Sequence, residues 1–144
     1  MKQVFTPTRM AFVAALALGS AGLAAIGFHD ATTAATVEVI VPIDLSPVAR
    51  QGKVIFDAVC AECHGTNAAG TDQGPPLVHD IYNPGHHADE AFQRAVRNGV
   101  PQHHWRFGDM PPQPQVGDEQ LAQIVRYVRE LQQANGIRFK PHRM

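Results

Sequence analysis

Apolar positions recur at helical spacing in two long stretches of the chain and one short one. Val48, Gly52, Ile55, Phe56 and Val59 fall on one face of a helix. Ser46-Pro47 supplies its start, with serine as N-cap and proline in the first turn. This helix is predicted to run into Cys60. Near the other end, Leu121, Ile124, Val125, Val128 and Leu131 form a second stripe, with Tyr127 at its edge. Its helix is predicted to begin at Gly117-Asp118-Glu119, where acidic side chains suit the dipole, and to stop at Asn135-Gly136. Between them, Asp89 is the expected N-cap of a short helix holding Phe92 and Val96 and ended by Asn98-Gly99.

The remaining segments carry no such period. Residues 36–45 alternate weakly and contain Pro42, which predicts an extended lead-in. The stretch from Gly65 to Pro84 is rich in Gly, Pro, Asn, Thr and Asp, and Val100 to Val116 holds four prolines. Structureless loops of this length are uncommon in a small domain unless they serve a function, such as wrapping a cofactor. No internal repeat is visible. The pattern predicts an all-α fold with long loops and little or no sheet.

The first 35 residues differ in kind. Lys2 and Arg9 precede a charge-free run from Met10 to Phe28, followed by the small residues Ala31 to Ala35. This is the layout of an export signal. As a helix the run would span about 28 Å, close to a bilayer core, so an uncleaved anchor is equally open. Gly19, Gly22 and Gly27 weaken it as a spanning helix. Residues 1–35 are therefore expected to be an export signal or membrane anchor, and 36–144 the functional domain. Either way the domain is expected outside the cytoplasm, in the periplasm, because positive charge stays inside. Setting aside Lys2, Arg9 and Asp30 from the 12 basic and 13 acidic residues leaves a small acidic excess. That argues against nucleic acid as a partner.

Both cysteines of the chain lie in Cys60-Ala61-Glu62-Cys63-His64. A C-x-x-C-H run lets two thiols form thioethers to a porphyrin, with the following histidine under the iron. A thioredoxin-like pair would need strand and helix alternation, which is missing. A structural zinc site would need further ligands. A plain disulfide would leave His64 unexplained. One covalent haem c is the expected cofactor, with Cys60 and Cys63 as its thioethers and His64 as an axial ligand.

The iron then needs a sixth ligand. Met1 and Met10 lie in the export segment and Met144 is the last residue. Met110 sits in Gly108-Asp109-Met110-Pro111-Pro112, where prolines restrict the backbone. Its thioether is the expected axial partner of His64. The alternatives are that Met110 fills core space, or that His103 or His104 takes the iron.

These residues resemble the small bacterial class I cytochromes c, mono-haem and His/Met-ligated, over about residues 46–135. The likeness rests on Gly52, Phe56, the Cys60-to-His64 motif, Gly74-Pro75-Pro76-Leu77, the Trp105-to-Pro112 stretch and Tyr127 in the closing helix. The resemblance implies three to five helices with long loops wrapped around one covalent haem. It also implies that the first and last helices cross with Gly52 against Tyr127, beside Phe56. Pro75 should accept a hydrogen bond from His64 and fix its ring. Trp105 should donate to a haem propionate, or to a carbonyl if it is an ordinary core tryptophan.

Eight histidines are many for this length. His86-His87 and His103-His104 are adjacent pairs, with His79 near the first. Imidazoles suit copper, zinc or nickel, but neighbouring side chains diverge, so a site would need one histidine from each loop. Solvated loop histidines, or partners of propionates and carbonyls, are the plainer expectation. With two axial ligands no iron position is open to oxygen or peroxide, and no catalytic residue stands out. Glu62 and Asp109 are expected as surface charges. The expected role is a mobile or membrane-tethered electron carrier, working with redox proteins such as an oxidoreductase or terminal oxidase. The alternatives are a cytochrome subunit of a larger oxidoreductase and a haem protein with an auxiliary histidine-rich copper site.

Overall fold

The computed structural model describes residues 36–141. The export or anchor segment expected in residues 1–35 lies outside them. Among the described residues four helices carry the fold: α1 (Pro47–Val59), α2 (Ala61–His64), α3 (Asp89–Asn98) and α4 (Asp118–Ala134). Short 3-10 turns occur at Thr66–Ala68 and Asp80–Tyr82. Among the described residues there is no strand, only one antiparallel bridge between Val100 and Met110. No described helix is long and apolar enough to cross a membrane.

α1 begins as its sequence dictates. The Ser46 hydroxyl accepts from the Ala49 N–H at 3.1 Å, and Pro47 occupies the first turn. The Ser46 N–H also donates to Glu130 on α4 at 2.9 Å, which ties the start of one helix to the side of the other. α1 ends one residue before the cysteine motif. Cys60 is the junction, and the rest of the motif forms the single turn α2.

α1 and α4 make the main packing contact, and its closest point is Gly52. A Cβ there would lie 1.9 Å from the Gln123 carbonyl oxygen, so only glycine allows the two backbones to approach this far. The expected partner was Tyr127. Gly52 instead meets the backbone one turn earlier, at Gln123 and Ile124, because nothing but main chain fits in so short a gap. One turn further along both helices, Phe56 and Tyr127 pack edge to face with centroids 5.6 Å apart. Tyr127 is not at the edge of the stripe but fully buried, and its hydroxyl donates to Asn67 at 3.1 Å.

α4 buries all five residues of its predicted stripe, and two polar ones besides. Gln132 donates to the Leu77 carbonyl at 2.8 Å and to the Tyr82 carbonyl at 3.1 Å. Arg129 donates to the carbonyls of Tyr82 (2.8 Å) and His87 (2.5 Å), to Gln132 (2.6 Å) and to Asp89 (2.8 Å). Its guanidinium also lies over the Phe92 ring at 4.9 Å. A buried cation is tolerable only when its donors are used in this way. The pair with Arg129 explains why Asp89 is not the N-cap of α3. It is the first helical residue, and Ala88 precedes it without a side-chain cap.

The lead-in before α1 is held by backbone bonds. The Val37 N–H donates to the Ala69 carbonyl at 2.8 Å, and the Asn135 amide bonds both backbone groups of Ile40 at 2.8 Å. Asn135 thus caps α4 and pairs with the lead-in as a strand edge would.

Candidate functional site

α2 and the two long loops surround an apolar cavity of about 400 Å³. Phe56 and Leu77 contribute from one side, Phe92 and Val96 from α3, and Leu121 and Ile124 from α4. Its size falls in the range of organic-ligand pockets, about 300–1,000 Å³, and its walls are as apolar as a porphyrin requires.

The donors expected from the sequence converge on this space. Cys60, His64, Pro75, Trp105 and Met110 all line it. Cys63 does not, but stands one turn along from Cys60, exposed and free. Gly74 leaves it room: a Cβ there would sit 2.8 Å from the Cys63 carbonyl oxygen and 3.1 Å from its Cβ. Burial pushes the Cys60 thiol up to about 11, and the neighbouring Cys63 adds to the effect. The Cys60 sulfur is therefore a protonated thiol near neutral pH, before any bond to a cofactor is made.

His64 Nδ1 lies 2.9 Å from the Pro75 carbonyl oxygen. A carbonyl can only accept, so Nδ1 carries the proton and Nε2 keeps its lone pair. Burial lowers the imidazole below its ordinary value, opposed by this hydrogen bond. The ring is thus neutral and fixed in the tautomer that ligates through Nε2. The backbone beyond it is closed by the Gly70 N–H, which donates to the His64 carbonyl at 2.7 Å.

Met110 is placed by a backbone device that periodicity does not reveal. The Val100 N–H donates to the Met110 carbonyl at 2.9 Å, and the Met110 N–H returns to the Val100 carbonyl at 3.0 Å. The two ends of the loop meet so closely that a Cβ on Gly99 would stand 2.5 Å from the Met110 oxygen, and Gly99 itself has φ +74°. The Met110 side chain packs against Val96, Leu121 and Val125, the small core between α3 and α4.

Trp105 has a partner on the chain itself. Its indole N–H donates to the Tyr82 hydroxyl at 3.1 Å. Burial pushes the Tyr82 phenol up to about 12, keeping it protonated, while the bond from Trp105 works in the opposite sense. Tyr82, Gly99, Arg129 and Gln132 are the supporting residues that sequence reasoning missed. Only Gly99 left a trace, as the glycine after Asn98, and there it suggested no more than a helix stop.

The histidine pairs also differ from expectation. His87, His103 and His104 line the cavity, while His86 stands beside them. The adjacent His86 and His87 rings do not diverge: their centroids are 4.6 Å apart, and the His104 ring lies within 5.3 Å of each. His87 Nδ1 donates to the Ile81 carbonyl at 2.8 Å. Burial, then the nearby histidines, hold His87 below the usual imidazole value, against the pull of that hydrogen bond. Partial burial and then repulsion from His103 and His86 lower His104.

Two thiols at the required spacing, a fixed imidazole, a thioether and apolar walls around one space fit a covalently attached haem. The match to known proteins agrees with this chemistry. A family model described as Cytochrome c matches residues 49–132, which run from α1 through the cavity to α4. No curated protein and no solved structure matches the chain. The matched span covers more than half of the sequence and contains the whole Cys60-to-His64 motif, so the chain belongs to the cytochrome c family, as an all-α class I member that binds haem c covalently and transfers electrons through it.

Proposed function

We propose that this cytochrome is a one-electron carrier whose haem iron is held between His64 and Met110. The observation that carries the proposal is that both side chains line one apolar cavity, with the His64 tautomer fixed by Pro75. When bound, the haem supplies a one-electron iron couple. The chain's own residues do the rest. Cys60 and Cys63 hold the group covalently. Pro75 orients the imidazole. The Val100–Met110 pair restrains the thioether. The side chains of Phe56, Leu77 and Ile124 exclude water and favour the less charged, reduced state.

Two protein ligands on the iron leave no open coordination position, so the chemistry is transfer and not oxygen or peroxide turnover. The partners are redox proteins that dock at the cavity mouth, among them an oxidoreductase or a terminal oxidase. Pro101, Gln102 and His103 line that mouth and are exposed. The site of action is the periplasm, reached through residues 1–35, with the domain free or tethered through the charge-free run of residues 10–28.

The oxidised protein should show the weak far-red band of sulfur-to-iron charge transfer. Met110→His should abolish it and lower the potential, because axial ligands help to set potentials over about 0.8 V. A wild-type protein without the band, with the magnetic parameters of two imidazoles, would move the assignment to His103 or His104.

A further inference from the structure

We propose that His86, His87 and His104 form a binding site for one divalent transition-metal ion of the zinc and copper class, at the wall of the haem cavity. Each residue presents one ring nitrogen, and the three nitrogens lie within 4.8 Å of one another. His86 Nε2 and His104 Nε2 are 3.2 Å apart. Two nitrogens bound to one tetrahedral ion at about 2.0–2.1 Å stand about 3.3 Å from each other. The pair is therefore spaced as ligands are before any movement.

The supporting structure is also that of a ligand set. His87 gives its Nδ1 proton to the Ile81 carbonyl at 2.8 Å, which leaves Nε2 as its lone-pair nitrogen. Metal-binding histidines are fixed by this kind of outer hydrogen bond. The backbone explains why adjacent histidines converge. The N–H groups of His86 and His87 both donate to the Asn83 carbonyl, at 3.0 and 2.9 Å, so the chain turns sharply under the two rings. Arg129 then clamps the turn by its donation to the His87 carbonyl. The third ring comes from the other loop, six residues before Met110, and an ion shared between them would tie the two loops together.

The donor chemistry selects the metal. Three imidazoles with no carboxylate or thiolate suit zinc, copper or nickel and not magnesium or calcium. Three protein ligands leave a fourth position for water, or for a fourth donor brought up on binding. The neighbouring His103, with its ring centroid 4.3 Å from that of His104, is placed to be one.

The test is zinc binding to the full-length holoprotein, prepared without an affinity tag and treated with a chelator. Zinc is used because it is redox-inert and leaves the haem in one state. Calorimetric titration and metal analysis after dialysis should give one zinc per chain. His86→Gln and His104→Gln should each weaken binding by at least the about 10–100-fold that follows from disturbing a ligand's outer support. Far-ultraviolet circular dichroism and melting like those of the wild type in both variants show that they fold. A holoprotein that retains no zinc overturns the site, as does zinc held equally well by both variants. The readout is bound metal and not electron transfer, so its failure is separate from any failure of the His64–Met110 assignment.

Discussion

Gly52→Ala tests the crossing on which the cavity depends. An added Cβ would meet the Gln123 carbonyl oxygen at 1.9 Å, its carbon at 2.4 Å and the Ile124 nitrogen at 2.9 Å. Non-bonded heavy atoms settle at about 3.5 Å, so α1 and α4 must part by roughly 1.5 Å. All three obstacles are backbone, and none can rotate aside. Over-packing of this kind costs about 1–3 kcal/mol, here at the upper end. Separation also opens the edge-to-face pair of Phe56 and Tyr127, four residues further along each helix, which contributes about 0.5–1.5 kcal/mol beyond its area. Alanine returns about 1 kcal/mol through its better helix propensity. The net expectation is a loss of about 2.5–3.5 kcal/mol, or a fall in Tm of roughly 10–15 °C for a domain of this size. The assay is thermal melting of the two holoproteins in the same oxidation state, followed by circular dichroism. If the variant melts within about 2 °C of the wild type, or above it, the close-approach argument is wrong.

Gly99→Ala should disturb Met110 through the backbone. Its Cβ meets the Met110 oxygen at 2.5 Å, so the far-red band should weaken and the potential fall. Gly136→Ala is the control, because Gly136 has a similar φ of +76° but nothing within 4 Å; it should lose stability and keep the band. Arg129→Met should cost about 3 kcal/mol in urea unfolding, since it strips donors from the Tyr82 and His87 carbonyls and from Gln132. Asp89→Asn should cost less than about 1 kcal/mol, because the Asp89 carboxylate is 58% exposed and its ion pair is largely solvated. Equal losses in the two variants would place the weight on the ion pair instead.

The parts of this molecule that sequence reveals are those with a local signature. The cysteine motif is contiguous, and the stripes of α1 and α4 obey a 3.6-residue period that burial enforces. Ser46-Pro47 and Asn135-Gly136 mark helix ends through backbone chemistry within a few residues. The errors concern side chains whose partners are distant in the chain. Asp89 has the composition of an N-cap, but Arg129, 40 residues away, claims it. Gln132 carries no mark in the sequence, because the Leu77 and Tyr82 carbonyls reach it only in the fold. The Trp105 indole meets the Tyr82 hydroxyl, 23 residues away in the chain, a pairing that no local pattern marks. The convergence of His86 and His87 rests on a turn around the Asn83 carbonyl, which no spacing rule anticipates. Each case is a hydrogen-bonding demand satisfied by tertiary structure, and such demands leave no period in the sequence.

The bonds that fix the lead-in also set a length. Val37 and Ile40 are already held to Ala69 and Asn135, so the chain is tied to the domain before α1 begins. If the charge-free run ending at Phe28 stays in the membrane, eight residues join it to Val37, a reach of at most roughly 28 Å. That leash is comparable to the diameter of the domain it restrains, about 34 Å for a compact sphere with a radius of gyration near 13 Å. Such a cytochrome would sweep a shallow shell above the lipid and could serve only donors and acceptors whose redox centres open into that shell. Cleavage before Thr36 would remove the leash without loosening a single hydrogen bond described for the domain, turning the same fold from a local shuttle into a diffusible one.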